Sequence, residues 1–339
     1  METAKGMTNI AWSLAHAKLH TRLRKRVLLP DNSRILMAVS GGQDSLCLAR
    51  LLLDMQHKWQ WSLAIAHCDH RWRTDSADNA AYVSQLAQQW QTPCWIEVVQ
   101  TPVESEAAAR TWRYETFARL ARANGYTHVV TGHTASDRAE TVLYNLIRGT
   151  GLNGLGTLPW ERPLDNQQPL ISLVRPILAF SRTETDEFCQ QQGITPWQDS
   201  SNQTLSFRRN RIRQELLPYL KKHFNPQVER SLAQMAETTA MDIQYIAAQA
   251  SELYAQAVTE RSPQVWQISC PILQSAPLAL QHRVLRQLLQ TALCKPPNFH
   301  QIEKLAALLQ APNGTQTDPF PGGFVAQVCK PVILLSALS

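Results

Sequence analysis

The sequence predicts an α/β protein whose main domain is a doubly wound parallel β-sheet with helices on both faces. Four short apolar segments are typical of buried strands, and each is followed by a segment with the 3.6-residue periodicity of a helix. This alternation indicates parallel strands whose crossover helices cover the sheet. A chain of 339 residues also exceeds the usual size of one hydrophobic core, so we expect a second, smaller domain.

The predicted elements run in order from residue 34. Strands are expected at 34–39, 62–67, 94–99 and 127–131, and helices at 44–57, 75–91, 103–124 and 135–148. Ligands of such sheets bind outside the carboxyl ends of the strands, near the point where the strand order reverses. The residues directly after each strand are therefore the candidates for a functional site.

Beyond about residue 180 the periodicity is helical, at 182–192, 207–222, 229–253 and 278–292, and one further strand is expected within 323–335. Asn225 and Pro226 interrupt the pattern, because proline lacks the N–H that a continuing helix needs. We predict a helical lead-in over residues 1–29, the α/β domain over 30–224, and a smaller, mainly helical C-terminal domain over 225–339. An organellar transit peptide is the alternative interpretation of the basic lead-in.

Composition restricts the class of protein. A hydrophobic fraction of 44% without a bilayer-length apolar run predicts a soluble protein with no membrane association. The seven cysteines include no Cys-x-x-Cys pair, which argues against disulfides and structural zinc and favours a reducing, cytoplasmic location. The net charge of +6 fits a polyanionic partner.

The most specific motif follows the first strand and opens a helix. It consists of Ser40, Gly41, Gly42, Gln43, Asp44 and Ser45. Glycines let the backbone approach a phosphate, and the positive end of the helix favours an anion. The Gly-Lys-Ser/Thr ending of P-loop kinases is absent. The motif instead resembles the Ser-Gly-Gly-x-Asp-Ser loop of the PP-loop ATP pyrophosphatases, which split ATP into AMP and pyrophosphate.

Two further motifs do not carry a site by themselves. The segment from Gly149 to Gly154 fits the dinucleotide fingerprint Gly-x-Gly-x-x-Gly, but it follows a helix, whereas that fingerprint must follow a strand. His67, Cys68 and His70 follow the second strand, yet they cannot easily face one ion from an extended segment. For the segment from His67 to His70, the preferred interpretation is a polar loop at the mouth of the nucleotide site.

Charged residues follow two other strands. Arg110 and Arg113 lie three apart on one helix face, where they can clamp an α-phosphate or form surface ion pairs. His133 follows the fourth strand, and Asp137 and Glu140 share a helix face one turn later. These carboxylates can hold Mg²⁺ or the ammonium group of a second substrate, with a solvated helix face as the alternative for Glu140.

The densest basic cluster of the chain lies at residues 208–213. Its arginines are Arg208, Arg209, Arg211 and Arg213. Helical periodicity places them on more than one face, which favours phosphate contacts over a stripe that lies on a membrane.

These motifs, in this order, resemble the tRNA(Ile)-lysidine synthetase family. The resemblance spans about residues 34–220. It includes the phosphate loop, His67 to His70, Glu106 with Arg110 and Arg113, Gly132 to Thr141, Val174 to Ile177, and Asp199 to Asn202 with the basic cluster. It implies an adenine nucleotide alpha hydrolase-like fold for the α/β domain.

The resemblance also implies an activity. Lysine would be ligated to C2 of the wobble cytidine of tRNA(Ile) with a CAU anticodon, through an adenylated cytidine, with ATP going to AMP and pyrophosphate. Residues 40–45 would bind ATP, and Asp44 would help to hold Mg²⁺. Arg113 would stabilise charge at the α-phosphate, while His133 and Asp137 would line the nucleotide and lysine sites and Glu140 would help to recognise lysine. The arginines of the basic cluster and the C-terminal domain would contact tRNA, and a homodimer is compatible with the family.

The chain departs from the family beside Asp137. Many members have His-His-x-x-Asp-Asp or a close variant where this chain runs from His133 to Asp137, and Arg138 stands where glutamine is common, so a second carboxylate beside Asp137 is absent. Two alternatives stay open: another PP-loop enzyme, such as a tRNA thiolase, an NAD synthetase or a GMP synthetase, and a noncatalytic RNA-binding protein. The thiolases of the nearest type use cysteine pairs, and this chain has no Cys-x-x-Cys.

Replacing Arg208, Arg209 and Arg211 together with alanine is expected to flatten the salt dependence of tRNA binding, because fewer counterions are released. The slope of log binding constant against log salt should change by about 0.7–0.9 for each lost phosphate contact. Fluorescence anisotropy over a range of salt concentrations measures it, and an unchanged slope would argue against phosphate contacts.

Overall fold

The computed structural model describes residues 12–72, 74–101, 105–197, 208–293 and 295–337. Its packing divides the chain into two compact units, Met1–Ala240 and Met241–Ser339. The division lies within a long helix, 16 residues beyond the predicted bound at 224. The three functional parts, 1–29, 30–224 and 225–339, stay a prediction.

The first unit contains a six-stranded sheet in the order β3-β2-β1-β4-β6-β5. Its strands are β1 Arg34–Ala38, β2 Ser62–Asp69, β3 Cys94–Val98, β4 His128–Thr131, β5 Glu161–Pro163 and β6 Ser172–Val174. Every neighbouring pair is parallel except β5 with β6. The predicted parallel sheet is therefore confirmed, whereas β5 and β6 were not predicted, because three-residue strands are too short to show a period.

Helices cover both faces of this sheet. The helices up to residue 257 are α1 Leu14–Arg26, α2 Gln43–Trp59, α3 Ser76–Gln89, α4 Glu106–Ala123, α5 Ala135–Ile147, α6 Leu152–Leu155, α7 Arg182–Gln191, α8 Arg208–Arg211, α9 Leu217–His223 and α10 Val228–Ala257. A π-helical turn, Ile212–Leu216, joins α8 to α9. Side chains alternate along β1, so Ile35 packs in the core formed with α1, α2 and α7, and Leu36 packs in the core formed with α4.

The second unit combines helices with a four-stranded antiparallel sheet in the order β7-β8-β10-β9. Its elements are β7 Val258–Ser262, β8 Val265–Ser269, α11 Cys270–Gln274, α12 Leu278–Leu293, α13 Phe299–Ala307, β9 Phe324–Cys329 and β10 Val332–Ala337. The expectation of no strand before residue 323 was wrong. β7 exposes all its residues except Val258 and so lacks the alternation that marks a half-buried strand, and β8 alternates in burial over only five residues. Within the described part of the chain, none of the helices is long and apolar enough to span a bilayer.

The strand order reverses between β1 and β4, which are parallel neighbours. Their carboxyl ends therefore open onto the crevice where such sheets bind ligands. Gly132 directly follows β4, and a Cβ on it would stand 2.8 Å from the backbone carbonyl of Asp44 and from the nitrogen of Ser45. Only a glycine lets the end of β4 approach the first turn of α2 this closely.

Gly132→Ala is expected to lower the free energy of unfolding by about 1–3 kcal/mol, because the added methyl overpacks against backbone that cannot move aside. Gly151→Ala is the matched control, since no atom lies within 4 Å of the position where its Cβ would stand. Urea denaturation of both variants measures the effect. Equal stabilities for the two variants would contradict the close packing at Gly132.

Candidate functional site

The loop of residues 40–45 joins β1 to α2 and leaves the amino end of that helix uncapped. Gly41 has a φ of +87°, and a Cβ there would stand 2.3 Å from Asn79 Oδ1. Gly42 is the N-cap residue of α2, and no side chain accepts a hydrogen bond from the first turn. The backbone amides at this end of α2 therefore form a site for an anion, which the helix dipole also favours.

The loop is fixed from within and from distant segments. Ser45 Oγ donates to the carbonyl of Gly42 at 2.9 Å, and the backbone nitrogen of Ser40 donates to Ser45 Oγ at 3.1 Å. Asn79 Nδ2 donates to the carbonyl of Ser40 at 3.0 Å, and the backbone nitrogen of Trp197 donates to the carbonyl of Gly41 at 2.9 Å. Asn79 and Trp197 were not predicted, because nothing in the local sequence marks a residue that supports a distant loop.

The predicted carboxylates come together around two arginines. Arg182 lies between Asp44 and Asp137, with its Nε 3.5 Å from Asp44 Oδ2 and its terminal nitrogen 3.2 Å from Asp137 Oδ1. Arg213 binds Glu140 in a bidentate manner at 2.6 and 2.9 Å and lies 3.7 Å from Asp137 Oδ1. We call these five residues the acid site. Arg182 was not predicted, since the sequence shows it only as the start of a helix.

Asp137 is oriented by the start of its own helix. The backbone nitrogen and hydroxyl of Thr134 both donate to Asp137 Oδ2 at 2.8 Å, which leaves Oδ1 facing the arginines. The backbone nitrogen of Asp137 donates in return to Thr134 Oγ1 at 3.4 Å, and this completes a capping box. Burial alone would raise the pKa of Asp137, but Arg182, His133 and the hydrogen bonds from Thr134 hold it below its ordinary value. Asp137 is therefore ionised at neutral pH.

Asp44 differs from Asp137, because its surroundings raise its pKa. Burial raises the pKa of its carboxyl to about 6, although Arg182 and a hydrogen bond from the Thr185 hydroxyl partly offset that rise, and the charge of Asp137 adds to it. The side chain is only 14% exposed. The ionised form of Asp44 is therefore poorly solvated despite the nearby Arg182, and a bound cation would stabilise it.

A second group, the arginine cluster, lies around Tyr114. The guanidinium carbons of Arg110 and Arg162 lie 5.4 and 5.2 Å from the centre of its ring. Arg175 is fully buried, and the Nε atoms of Arg113 and Arg175 have no hydrogen-bond partner. Burial alone would raise the pKa of Tyr114, but the four guanidinium groups lower it. Among the described residues no carboxylate pairs with these four arginines, so the cluster has room for an anion.

His133 lies between the arginine cluster and the acid site. Its Nδ1 is 2.8 Å from Thr131 Oγ1. Burial lowers the pKa of His133 well below its usual range, and nearby arginines, including Arg175, lower it further against the opposing charge of Asp137. The imidazole is therefore uncharged at neutral pH.

Arg138 explains the departure from the family pattern beside Asp137. Its side chain is buried and points away from the acid site, where it donates to the carbonyl of Leu158 at 2.7 Å and pairs with Glu237 at 3.2 Å. A carboxylate at position 138 with this orientation would not face Asp44 or Arg182. The residue at position 138 thus contributes to packing against α10.

The predicted basic cluster divides into two parts. Arg213 lies on the π-helical turn and points into the acid site, whereas Arg208 and Arg211 are exposed and Arg209 lies 3.4 Å from Glu106. A π-helical turn often marks a functional position, because it changes the direction of one side chain. The predicted motif from Asp199 to Asn202 lies outside the described residues.

The glycine-rich segment from Gly149 to Gly154 and the segment that begins at His67 make contacts within the fold. Gly149 and Gly154 follow α5, and the carbonyl of Gly154 accepts a hydrogen bond from Asn145. His67 Nδ1 lies 2.8 Å from the carbonyl of Val39, beside β1. In the described ranges no three His, Cys, Asp or Glu side chains converge on a common ion position.

The fold and the uncapped loop define the class of protein. A family model described as the PP-loop domain matches residues 15–220, and one described as the TilS substrate binding domain matches residues 268–326. The solved structure of the U34-tRNA thiolase from Methanococcus maripaludis has a TM-score of 0.57 at 16% identity, over 67% of this chain and 78% of that one. At this identity the likeness shows the fold alone. The chain is a PP-loop protein.

Similar proteins narrow the class further. The tRNA(Ile)-lysidine synthases of Nostoc sp. and Synechocystis sp. are 52% and 48% identical to this chain, each over 94% of it and 96% of their own length. The chloroplastic tRNA(Ile)-lysidine synthase of Zygnema circumcarinatum is 34% identical over 88% of this chain and 81% of its own. The chain belongs to the tRNA(Ile)-lysidine synthase family.

Asp44→Asn is expected to stabilise the protein at pH 8 by about 3 kcal/mol, because the pKa of Asp44 is raised from 3.8 to about 6 on folding. The folded-state pKa of about 6 lies above the unfolded value, so the folded state binds more protons between about pH 4 and 6, and stability falls as pH rises through that window. The asparagine side chain does not titrate, so the variant does not lose stability over this pH range. The difference in stability between the variant and the wild type should therefore shrink towards pH 4.

Urea denaturation at pH 8 and pH 4 measures the difference. Asp78→Asn, which removes an exposed carboxylate from the first turn of α3, is the control for a change in net charge. An Asp44→Asn variant that is no more stable at pH 8 than the wild type would contradict the strained carboxylate.

Proposed function

We propose that this chain ligates lysine to C2 of the wobble cytidine of tRNA(Ile) with a CAU anticodon, at the expense of ATP, which yields AMP and pyrophosphate. The observation that carries the proposal is the position of the acid site beside the uncapped end of α2. Asp137 and Glu140 face guanidinium groups, which occupy the places that an ammonium group can take. Family membership and the names of the similar proteins support the same activity.

In the first step, the C2 oxygen of the cytidine bonds to the α-phosphorus of ATP, and the bond to the bridging oxygen breaks, so that pyrophosphate leaves. The amides at residues 42–45 hold the phosphates. Arg113 and its neighbours Arg110 and Arg175 stabilise the negative charge that develops at the α-phosphate, since their guanidinium groups have no carboxylate partner among the described residues.

Mg²⁺ fits the side of the phosphate loop on which Asp44 lies. It is a hard cation that is usually held by one or two carboxylates together with substrate phosphates. Asp44 is such a carboxylate, and burial raises its pKa to about 6 despite the nearby Arg182, so that a bound cation would stabilise its ionised form. When bound, the ion would neutralise phosphate charge, while Asp44 and the loop amides orient the triphosphate.

In the second step, the ε-nitrogen of lysine bonds to C2, the bond from C2 to its oxygen breaks, and AMP leaves with that oxygen. Asp137 and Glu140 position the amine, while Arg182 and Arg213 shift to bind the carboxylate of lysine. The free amine has a pKa near 10.4, so the ammonium group must release a proton to solvent before the amine attacks. Guanidinium groups at the site favour the neutral amine, and the uncharged His133 lines the site without adding charge.

The remaining contacts belong to the RNA. Arg208, Arg209 and Arg211 lie on α8 in positions from which they can bind tRNA phosphates. The C-terminal unit, whose residues 268–326 match a substrate-binding family, is the second tRNA-binding part. We place the reaction in the cytoplasm and regard a homodimer as compatible with it.

Incubation with tRNA, ATP and labelled lysine is expected to yield labelled lysidine, AMP and pyrophosphate, as measured by mass spectrometry of nucleosides. Arg113→Ala should slow the reaction by about 100-fold or more, because it removes a charge that stabilises the transition state. Arg119→Ala, which removes an exposed arginine from the same helix, is the matched control. Formation of ADP, or equal pyrophosphate release without RNA, would contradict the proposed reaction.

A further inference from the structure

A cavity of about 560 Å³ opens between the end of α5 and the segment from α8 to α9. It lies within the first unit and is separate from the residues that form the acid site. Its wall includes Tyr144, Ile147, Arg148, Arg208, Arg211 and Tyr219. The volume is within the roughly 300–1,000 Å³ of small-molecule sites.

The wall combines exposed apolar surface with aromatic rings. Ile147 is 67% exposed and Tyr219 is 55% exposed, although side chains of this size are usually buried. The Tyr219 ring lies 4.7 Å from the ring of His223 and 5.9 Å from that of Phe224, which is itself exposed. This aromatic surface can stack against a flat, apolar-faced ligand.

The same wall is positively charged. Arg148, Arg208 and Arg211 border the cavity, against the single carboxylate of Glu215 among its lining residues. The guanidinium carbon of Arg148 lies 5.2 Å from the centre of the Tyr144 ring. Aromatic faces beside guanidinium groups are the combination that binds unstacked nucleotides, because the base stacks on a ring or a guanidinium plane and the arginines bind the phosphate.

The cavity lies close to the acid site along two segments of the chain. Tyr144 lies one helical turn beyond Glu140 on α5, a rise of about 6 Å. On the opposite wall Ile212 borders the cavity, and the next residue, Arg213, binds Glu140. Since stacked nucleotides rise about 3.4 Å per strand and unstacked ones reach further, the cavity is one or two nucleotides away from a base held at the acid site.

We propose that this cavity binds the unstacked nucleobase of a nucleotide next to the reacting cytidine in the anticodon loop. Tyr144 and Tyr219 supply the stacking faces, and Arg148 and Arg208 bind the adjoining phosphates. The inference rests on the proposed function, since it takes a tRNA anticodon as the substrate. It adds a base-binding site that holds the RNA strand so that the cytidine enters the acid site.

The test uses the full-length protein and fluorescent anticodon stem-loop RNAs, one intact and two with a single abasic nucleotide on either side of the reacting cytidine. Tyr219→Ala is expected to weaken binding of the intact RNA by about tenfold, since loss of one stacked base costs about 1–3 kcal/mol. Tyr219→Phe should bind like the wild type. Tyr245→Ala, which removes a tyrosine that is 70% exposed on α10, is the matched control.

The effects of the Tyr219→Ala substitution and of the abasic nucleotide on binding should also be coupled. One of the abasic RNAs should bind the wild type about tenfold more weakly than the intact RNA does, and Tyr219→Ala should cause little further loss with that RNA. Equal effects of Tyr219→Ala on all three RNAs, or no effect on any of them, would overturn the inference. So would wild-type binding that ignores both abasic substitutions.

Failure of the proposed function gives a different result. In that case the wild type would form no lysidine on full-length tRNA, whatever the binding of the stem-loops. If lysidine forms and the coupling is absent, only the base-binding cavity is wrong. Urea denaturation of Tyr219→Ala checks that the fold is kept, which is expected because the side chain is largely exposed.

Discussion

The site depends on the close approach of two backbone segments. β1 and β4 are parallel neighbours that end at the same edge of the sheet, and Gly132 after β4 lies against the first turn of α2, where a Cβ would stand 2.8 Å from the backbone of Asp44. This contact brings two carboxylates from different strand ends within reach of one guanidinium group. Asp44 and Asp137 share Arg182 for that reason, and the uncapped end of α2 opens beside them.

Two parts of the crevice hold buried charges of opposite sign. Burial raises the pKa of Asp44 to about 6 despite the nearby Arg182, while the positive charge of the arginine cluster lowers the pKa of Tyr114. Groups with such unbalanced surroundings reduce stability in the free protein and are stabilised when a ligand of the opposite charge binds. In the proposed reaction a triphosphate with its cation, followed by the amine of lysine, would supply both opposite charges.

The sequence predicted the strands and helices that have a regular apolar pattern, but it did not predict the features that depend on contacts between distant segments. Four of the five parallel strands were predicted, and so were the loop from Ser40 to Ser45 and the carboxylates after β4, because apolar periodicity and position at a strand end mark them. Arg182, Asn79 and Trp197 were not, since each acts on a segment far away in the chain. The β7–β8 hairpin was missed because its exposed first strand lacks alternation, and the inward turn of Arg213 requires a π-helical turn that composition does not reveal.

The central claim is that the uncapped end of α2 holds the phosphates of ATP. A crystal structure with a nonhydrolysable ATP analogue and Mg²⁺ tests it most directly. The predicted result is a triphosphate whose oxygens accept hydrogen bonds from the backbone amides of residues 42–45, with the α-phosphate towards Arg113. A nucleotide bound elsewhere, with its phosphates remote from Gly41 and Gly42, would contradict it.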